Sequence, residues 1–205
     1  SQSNFSKEKQ LSDIIAQKIL GLTDITQITK YTDDTNDITL KAATENLFSA
    51  SSPVYASSEI GEDADIYNLF YPNPGRYWHV ALDKIGESAW VMIDLGEDQK
   101  KIVNFIRTKP RPDTMQQSFK TAVIQGSPDA KSWKNIAAII TEDPPETRDW
   151  KGWYFLNNTP YRFYRFLVLD GHEVNGAFYS LGAMEMYHVI NSRQGSKKWG
   201  IGNGG

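Results

Sequence analysis

The stretch WVMIDLG, residues 90–96, alternates two kinds of side chain along its length. Val91, Ile93 and Leu95 are separated by residues of mixed character, among them Asp94. Because successive side chains of a strand point to opposite faces of a sheet, this period of two predicts a strand with one face on a core. The segment YWH, residues 77–79, lies eleven residues before it and is predicted to form a loop beside that strand.

Further segments of strand character follow at short intervals. They cover residues 101–107, 119–127, 133–140, 153–156, 161–169 and 181–189. The sequence SPDAKS, residues 127–132, supplies turn residues between two of them. Seven or more short strands without intervening helices indicate an all-β sandwich or barrel.

The two ends of the chain differ from this central region. Residues 7–20 carry apolar side chains at spacings of three and four, which predicts a short amphipathic helix that packs on the main domain or on another chain. Residues 23–48 are rich in Thr, Ile, Asp and Asn and are interpreted as an extended connecting arm. The predicted segments are therefore residues 1–48, helix and arm; 49–189, the β-sandwich; and 190–205, a flexible glycine-rich tail.

Composition excludes several classes of protein. The 205 residues are 40% hydrophobic and 23% charged, as in a soluble globular domain. Net charge is −3 with scattered basic residues, so no nucleic-acid partner is expected. The chain has no cysteine, which fits a reducing compartment or a bacterial or viral surface protein without disulfides. No run is long enough to span a membrane and the start has no apolar core of a signal peptide, so a protein acting outside the cell either had a signal removed or left by another route. The expected location is extracellular or on a virion surface.

Catalytic patterns are missing from the sequence. The histidines His79, His172 and His188 have no close metal-ligand spacing, and no nucleophile elbow is present. The glycine-rich end GIGNGG, residues 200–205, has no strand before it and no helix after it, so it is not a dinucleotide loop. We therefore expect no enzyme activity, no cofactor and no metal.

Six segments, taken in order, resemble one known family. They are YWH (77–79), AWVMIDLG (89–96), RPD (111–113), QGSPDAKSW (125–133), RFYRF (162–166) and AMEMY (183–187). The chain over about residues 49–189 resembles the discoidin domain, also called the coagulation factor 5/8 type C domain, which overlaps with the family 32 carbohydrate-binding modules. The resemblance implies a jelly-roll β-sandwich whose loops at one end bind glycans, lipid head groups or proteins.

The resemblance also implies a set of ligand-binding residues. In galactose-binding members a histidine after the Tyr-Trp pair and an arginine after the third strand hold sugar hydroxyls, while an amide side chain helps and an aromatic ring stacks on the sugar. Matched position by position, these are His79 and Arg111, with Gln116 as a looser match for the amide. The full set of candidate residues is Tyr77, His79, Arg111, Gln116, His172, Phe178 and Tyr179.

Each candidate also has a structural interpretation. His79 could bond to nearby backbone instead of a sugar, and Arg111 could form an ion pair with Asp113. Arg162 and Arg165 alternate with aromatic residues in a strand and are interpreted as structural. The tryptophans at 150 and 153 either form an exposed aromatic surface or cover the end of the sandwich core.

Many family members hold a structural calcium at the turn before the Tyr-Trp pair, with a carboxylate and a threonine. Here Tyr71 stands at the carboxylate position and Arg76 at the threonine position. Hard cations need several oxygen ligands, and an arginine opposes a cation by its charge. We expect no calcium at this turn. Glu185 fits the glutamate that the family has near its C-terminal end.

Two functional hypotheses follow. The first is a non-catalytic module that recognises a surface glycan or cell-surface receptor through loops at one end of the sandwich, as part of an oligomer or larger assembly. The second is a structural or attachment subunit of a virion or phage tail, in a fibre or baseplate, that contacts other chains through residues 1–48 and the C-terminal tail.

Overall fold

The computed structural model describes residues 27–29, 43–61, 64–73, 75–81, 89–173 and 179–190. The helix predicted over residues 7–20 and the tail from residue 191 lie outside the described residues. The strands in the described residues are β1 (Ile28–Thr29), β2 (Val54–Ala56), β3 (Trp78–His79), β4 (Ala89–Asp94), β5 (Phe105–Lys109), β6 (Phe119–Ser127), β7 (Lys134–Ile140), β8 (Lys151–Tyr154), β9 (Phe163–Gly171), β10 (Ser180–Leu181) and β11 (Ala183–Tyr187). Short 3-10 helices cover Ile66–Phe70 and Met115–Gln117.

The strand β4 has the alternation that its sequence predicts. Ala89, Val91 and Ile93 are buried, and the residues between them are partly exposed. β4 pairs antiparallel with β2 on one side and with β9 on the other, so its buried side chains belong to the inner face of a sheet. Backbone pairing on both edges fixes the register of this face.

Two sheets and a short ribbon make up the described sandwich. The larger sheet has the order β1-β7-β6-β9-β4-β2, and the smaller sheet has the order β11-β5-β8. β3 and β10 form a two-residue antiparallel ribbon. Within these residues every pairing of named strands is antiparallel except that of β1 with β7. The predicted all-β jelly-roll sandwich is confirmed.

The main core lies between the two sheets. The larger sheet contributes apolar side chains such as Ile93, Ile124 and Phe166, and the smaller sheet contributes Ile106 and Trp153. These side chains are almost fully buried. Their removal from water is the main favourable contribution to the stability of such a sandwich.

The strands β6 and β7 are buried on both faces. Val123, Ala138 and Ile140 form a second apolar cluster with Leu169, on the face opposite to the main core. This explains why residues 136–140 read as a continuous apolar run in place of an alternating one.

The strand predicted over residues 101–107 begins later than expected, at Phe105. Lys101 forms an isolated bridge with Tyr161, and the amide of Val103 donates to the hydroxyl of Tyr164 at 3.1 Å. The amide of Asn104 donates to the carbonyl of Tyr187, and its carbonyl accepts from the amide of Phe155, both at 3.0 Å. Residues 101–104 therefore bond to several separate partners, and the regular ladder begins only at Phe105. Sequence pattern cannot distinguish such separate bonds from a strand ladder.

Parts of the predicted connecting arm contact the sandwich. Leu47 and Phe48 belong to the main core, and Ala43 bridges Val189. Gln27, beside the edge strand β1, donates from Nε2 to the carbonyl of Ile136 at 2.9 Å.

The hydroxyl of Tyr164 should be a sensitive point of the fold. It donates to the carbonyl of Lys101 at 2.6 Å and accepts from the amide of Val103, and the ring is fully buried. Tyr164→Phe should reduce the free energy of unfolding by about 1–3 kcal/mol because it leaves these buried groups unpaired. Urea denaturation measures the change. Tyr55→Phe, at a ring that is 48% exposed, is the matched control, and an equal loss in both variants would contradict the assignment.

Candidate functional site

The candidate site lies at one end of the sandwich. The register places Ala89 opposite Val168 and Phe119 opposite Gly171, so the start of β4, the start of β6 and the end of β9 share that end. The connection from β5 to β6 crosses the same end and carries Arg111.

Arg111 is held on three sides. Its guanidinium lies over the ring of Tyr77, with 3.8 Å from Cζ to the ring centroid. Nε and Nη2 donate to the two carboxylate oxygens of Asp113 at 2.6 and 3.2 Å, and Nη1 donates to Oε1 of Gln117 at 3.0 Å. These bonds use three of the five N–H groups of a guanidinium. The side chain is 16% exposed, so its guanidinium is held in place and still reaches solvent.

Local sequence explains this geometry. Pro110 and Pro112 flank Arg111 and restrict the backbone on both sides of it. The 3-10 helix Met115–Gln117 then turns the chain so that Gln117 faces back toward Arg111. The ion pair to Asp113, two residues away, is the structural alternative that the sequence left open for Arg111.

Gln117 connects the loop to the ribbon of β3 and β10. Its Oε1 accepts from Arg111 and from the hydroxyl of Ser180 at 3.2 Å. Ser180 is paired in register with His79. The sequence pointed to Gln116, which is exposed, and the residue that contacts Arg111 in the described structure is its neighbour. Two consecutive glutamines gave no sequence signal to choose between them.

His79 is buried, with 2% of its surface exposed. Its Nδ1 lies 2.6 Å from the carbonyl oxygen of Val80, and because a carbonyl only accepts, Nδ1 carries the proton of this bond. Burial lowers the pKa of His79 most, and the positive charge of Arg111 lowers it further, so the ring is neutral at pH 7. A buried ring bonded to backbone is the structural interpretation of this residue.

Of the remaining candidates, Tyr77 contacts Arg111. His172 is half-buried, and its Nε2 lies 2.7 Å from Oγ1 of Thr141, which follows β7. Tyr179 belongs to the main core with 3% of its surface exposed, so its ring is not available to stack on a ligand. Phe178 lies outside the described residues. Tyr77 is partly exposed, and its ring lies against Arg111.

Arg162, which precedes β9, and Arg165, within it, have structural contacts, as their alternation with aromatic residues predicts. Arg162 donates to both carboxylate oxygens of Asp94 at 2.8 and 3.0 Å, at the end of the sandwich opposite to Arg111. Arg165 donates to Oε1 of Gln125 at 2.8 Å and lies over the ring of Trp133. Burial lowers the pKa of Arg165 to about 10, so it remains charged at neutral pH.

The two tryptophans before and within β8 differ in exposure. Trp153 is 1% exposed and belongs to the main core. Trp150 is partly exposed, and the guanidinium of Arg107 lies 4.2 Å from its ring centroid. Glu185 accepts from Nε of Arg107 at 2.6 Å, so this glutamate balances the charge of that arginine.

The family model of the F5/8 type C domain matches residues 49–181. The chain belongs to this family. Comparison with curated proteins found no match.

Solved structures share the fold of this F5/8 type C domain at low sequence identity. CpGH89CBM32-5 from Clostridium perfringens, in complex with GalNAc-β-1,3-galactose, is 18% identical, with a TM-score of 0.58 over 70% of this chain and 100% of that chain. The family 32 module of C. perfringens NanJ, in complex with galactose, is 16% identical, with a TM-score of 0.54 over 70% of this chain and 98% of that chain. CBM32-3 from a C. perfringens family 31 glycoside hydrolase is 20% identical, with a TM-score of 0.61 over 74% of this chain and 98% of that chain.

The turn at which other members hold calcium does not fit a cation in this F5/8 type C domain. Tyr71 is 71% exposed and offers no carboxylate, and Arg76 is exposed. Oδ1 of Asn73 accepts from the amide of Gly75 at 2.9 Å, so this oxygen stabilises the turn itself. Within the described residues no group of three or more acidic or histidine side chains could hold a metal. No helix there is long and apolar enough to cross a membrane.

The buried histidines predict how stability changes with pH. The pKa values of His79 and His172 are both lowered from 6.5, chiefly by burial. Below pH 6.5 the unfolded chain therefore binds more protons than the folded chain, and stability falls as the pH is lowered from 7 toward the folded pKa values. Urea midpoints of the wild type should decrease over this interval.

Two substitutions isolate this effect. His79→Asn keeps a donor near the position of Nδ1, and His172→Gln keeps a polar group near the position of Nε2. The double variant should show a smaller decrease in urea midpoint between pH 7 and pH 5 than the wild type, whereas His188→Gln serves as the control at the third histidine. A double variant with the wild-type pH dependence would rule out this origin.

Proposed function

We propose that this F5/8 type C domain is a non-catalytic carbohydrate-binding module that binds a galactose-type sugar at Arg111. The observation that carries the proposal is the guanidinium fixed by Tyr77, Asp113 and Gln117 at a partly exposed position. Two of its N–H groups make no bond in the described structure and can donate to paired sugar hydroxyls. The complexes of two solved relatives with galactose-containing ligands support this ligand class.

The fixed arginine suits weak but specific recognition. A side chain that is already ordered loses little conformational freedom when a ligand binds, so fewer contacts are needed for measurable affinity. A lysine side chain in place of Arg111 would be a flexible point charge and would not present two parallel donors. The partly exposed ring of Tyr77 offers an edge that can contact the apolar face of the sugar.

A single shallow site of this kind binds weakly. Attachment to a surface glycan outside the cell would then depend on several copies acting together. A role in a virion or tail assembly through residues 1–48 and the C-terminal tail stays a prediction from the sequence. In the described part of that arm, Gln27 and Thr29 bond to the sandwich of their own chain.

Conservative substitution of Arg111 tests the proposal. Arg111→Lys keeps the charge but loses the planar pair of donors, so affinity for the glycan should fall about tenfold or more. A glycan array identifies ligands of the wild type, and isothermal titration with galactose and GalNAc-β-1,3-galactose measures affinity.

Arg162→Lys is the matched control because Arg162 forms the same two-oxygen contact, with Asp94, at the opposite end of the sandwich. The control should bind as the wild type does. No glycan signal for the wild type, or equal loss of affinity in the two variants, would contradict the proposal.

A further inference from the structure

A groove of about 190 Å³ adjoins the loop that carries Arg111. Pro110 and Pro112, the two sequence neighbours of Arg111, both line it. The turn residue Asn73 contributes to another wall. Prolines restrict the backbone of the walls, so this shape is held in the absence of a ligand.

Gly182 also lines the groove and allows two backbone segments to approach closely there. The amide of Gly182 donates to the carbonyl of Lys109 at 2.9 Å, which joins the segment between β10 and β11 to the end of β5. A Cβ atom at this position would lie 2.5 Å from the carbonyl oxygen of Pro110. Only a residue without a side chain allows this close approach of the two backbones.

Two cations line the groove. Lys109 is partly buried, and its ammonium lies 5.6 Å from the centroid of the Trp150 ring. Arg148 is exposed and comes from the connection between β7 and β8. Within the described part of the chain, neither side chain forms an ion pair. The neighbouring cations Arg107 and Arg111, by contrast, each pair with a carboxylate.

The positive charge of the groove is local. The whole chain has a net charge of −3, so no general attraction for anions exists. Asp113 does not line the groove, and the guanidinium of Arg111 holds it through two hydrogen bonds. The positive charge of Arg148 also acts on this carboxylate and helps to lower its pKa, after the larger effect of Arg111. Glu146 and Asp149 flank Arg148 in the sequence but do not line the groove. The Nδ2 amide of Asn73 adds a neutral donor whose N–H groups make no described bond.

We infer that this groove binds the acidic substituent, a carboxylate or a sulfate, of a glycan whose neutral sugar lies at Arg111. The inference rests on the proposed function and goes further by selecting acidic over neutral glycans. Lys109 and Arg148 supply the opposite charge, and Asn73 donates a hydrogen bond to the same oxygens. A carboxylate and a sulfate both present negatively charged oxygen acceptors. Sialylated and sulfated ligands distinguish the two.

The experiment compares lactose with its sialylated and sulfated derivatives by isothermal titration at low and high salt. The wild type should bind at least one acidic derivative about fivefold more tightly than lactose, since charge contacts that water can reach each contribute modestly. This preference should shrink at high salt because exposed charges are screened.

Paired substitutions locate the preference. Lys109→Gln with Arg148→Gln should remove it while affinity for lactose stays unchanged. Lys100→Gln with Lys131→Gln, at exposed lysines elsewhere, is the control for the loss of two positive charges and should keep it.

The outcomes are separable. If lactose binds and no acidic derivative binds more tightly, the inference fails and the proposed function stands. If the preference survives in the Lys109 and Arg148 variant, the groove is not its origin and the inference also fails. If neither lactose nor its derivatives bind, both are overturned.

Discussion

The pairing of β3 with β10 organises the end of the molecule that carries Arg111. Trp78 is opposite Leu181 and His79 is opposite Ser180 in this two-residue ribbon. The ring of Trp78 is fully buried, and its Nε1 donates to the carbonyl of Ser58 at 3.0 Å. The buried Trp78 therefore fixes its neighbour Tyr77. Through the ribbon it also fixes Ser180, whose hydroxyl donates to Gln117. The position of Arg111 depends on both.

Arg111 illustrates how a surface arginine becomes a rigid donor. A free arginine loses considerable side-chain entropy on binding, and exposed ion pairs alone hold such a side chain weakly. Here an aromatic face, a carboxylate and an amide each restrict the guanidinium in a different direction. Arg162 has an aromatic contact and a carboxylate as well, but it bonds to Asp94 on β4, the strand paired with β9, and serves the fold. The difference between the two lies in which end of the sandwich they occupy.

Sequence reasoning recovers the parts of the fold that depend on local pattern. The alternation in β4 predicts its buried face, and Asp129 in the predicted turn over residues 127–132 accepts from the amides of Lys131 and Ser132, as turn chemistry predicts. The predicted start of β5 is too early because side chains distant in sequence bond to Val103: its amide donates to the hydroxyl of Tyr164, and its carbonyl accepts from Nδ2 of Asn157. Long-range contacts of this kind leave no periodic signal.

The geometry of the candidate site can be predicted from the sequence in outline but not in detail. Arg111 and Asp113 are neighbours in sequence, so their contact could be anticipated. The choice of Gln117 over Gln116 depends on the phase of a 3-10 turn, and the burial of Tyr179 depends on packing against other strands. Lys109 and Arg148 come together only through the fold, since one ends β5 and the other follows β7. Residue type indicates what a side chain can do, and only the fold decides which side chains act together.

The most direct test of the central claim is to map ligand contacts on the labelled protein by NMR. During titration with galactose, the largest shifts should appear at the backbone of Tyr77 and Gln117 and at the Nε–H of Arg111. Those signals lie at the end of the sandwich formed by the β3–β10 ribbon. Shifts concentrated instead at the opposite end, around Lys101 and His188, or no shifts at all, would contradict the account.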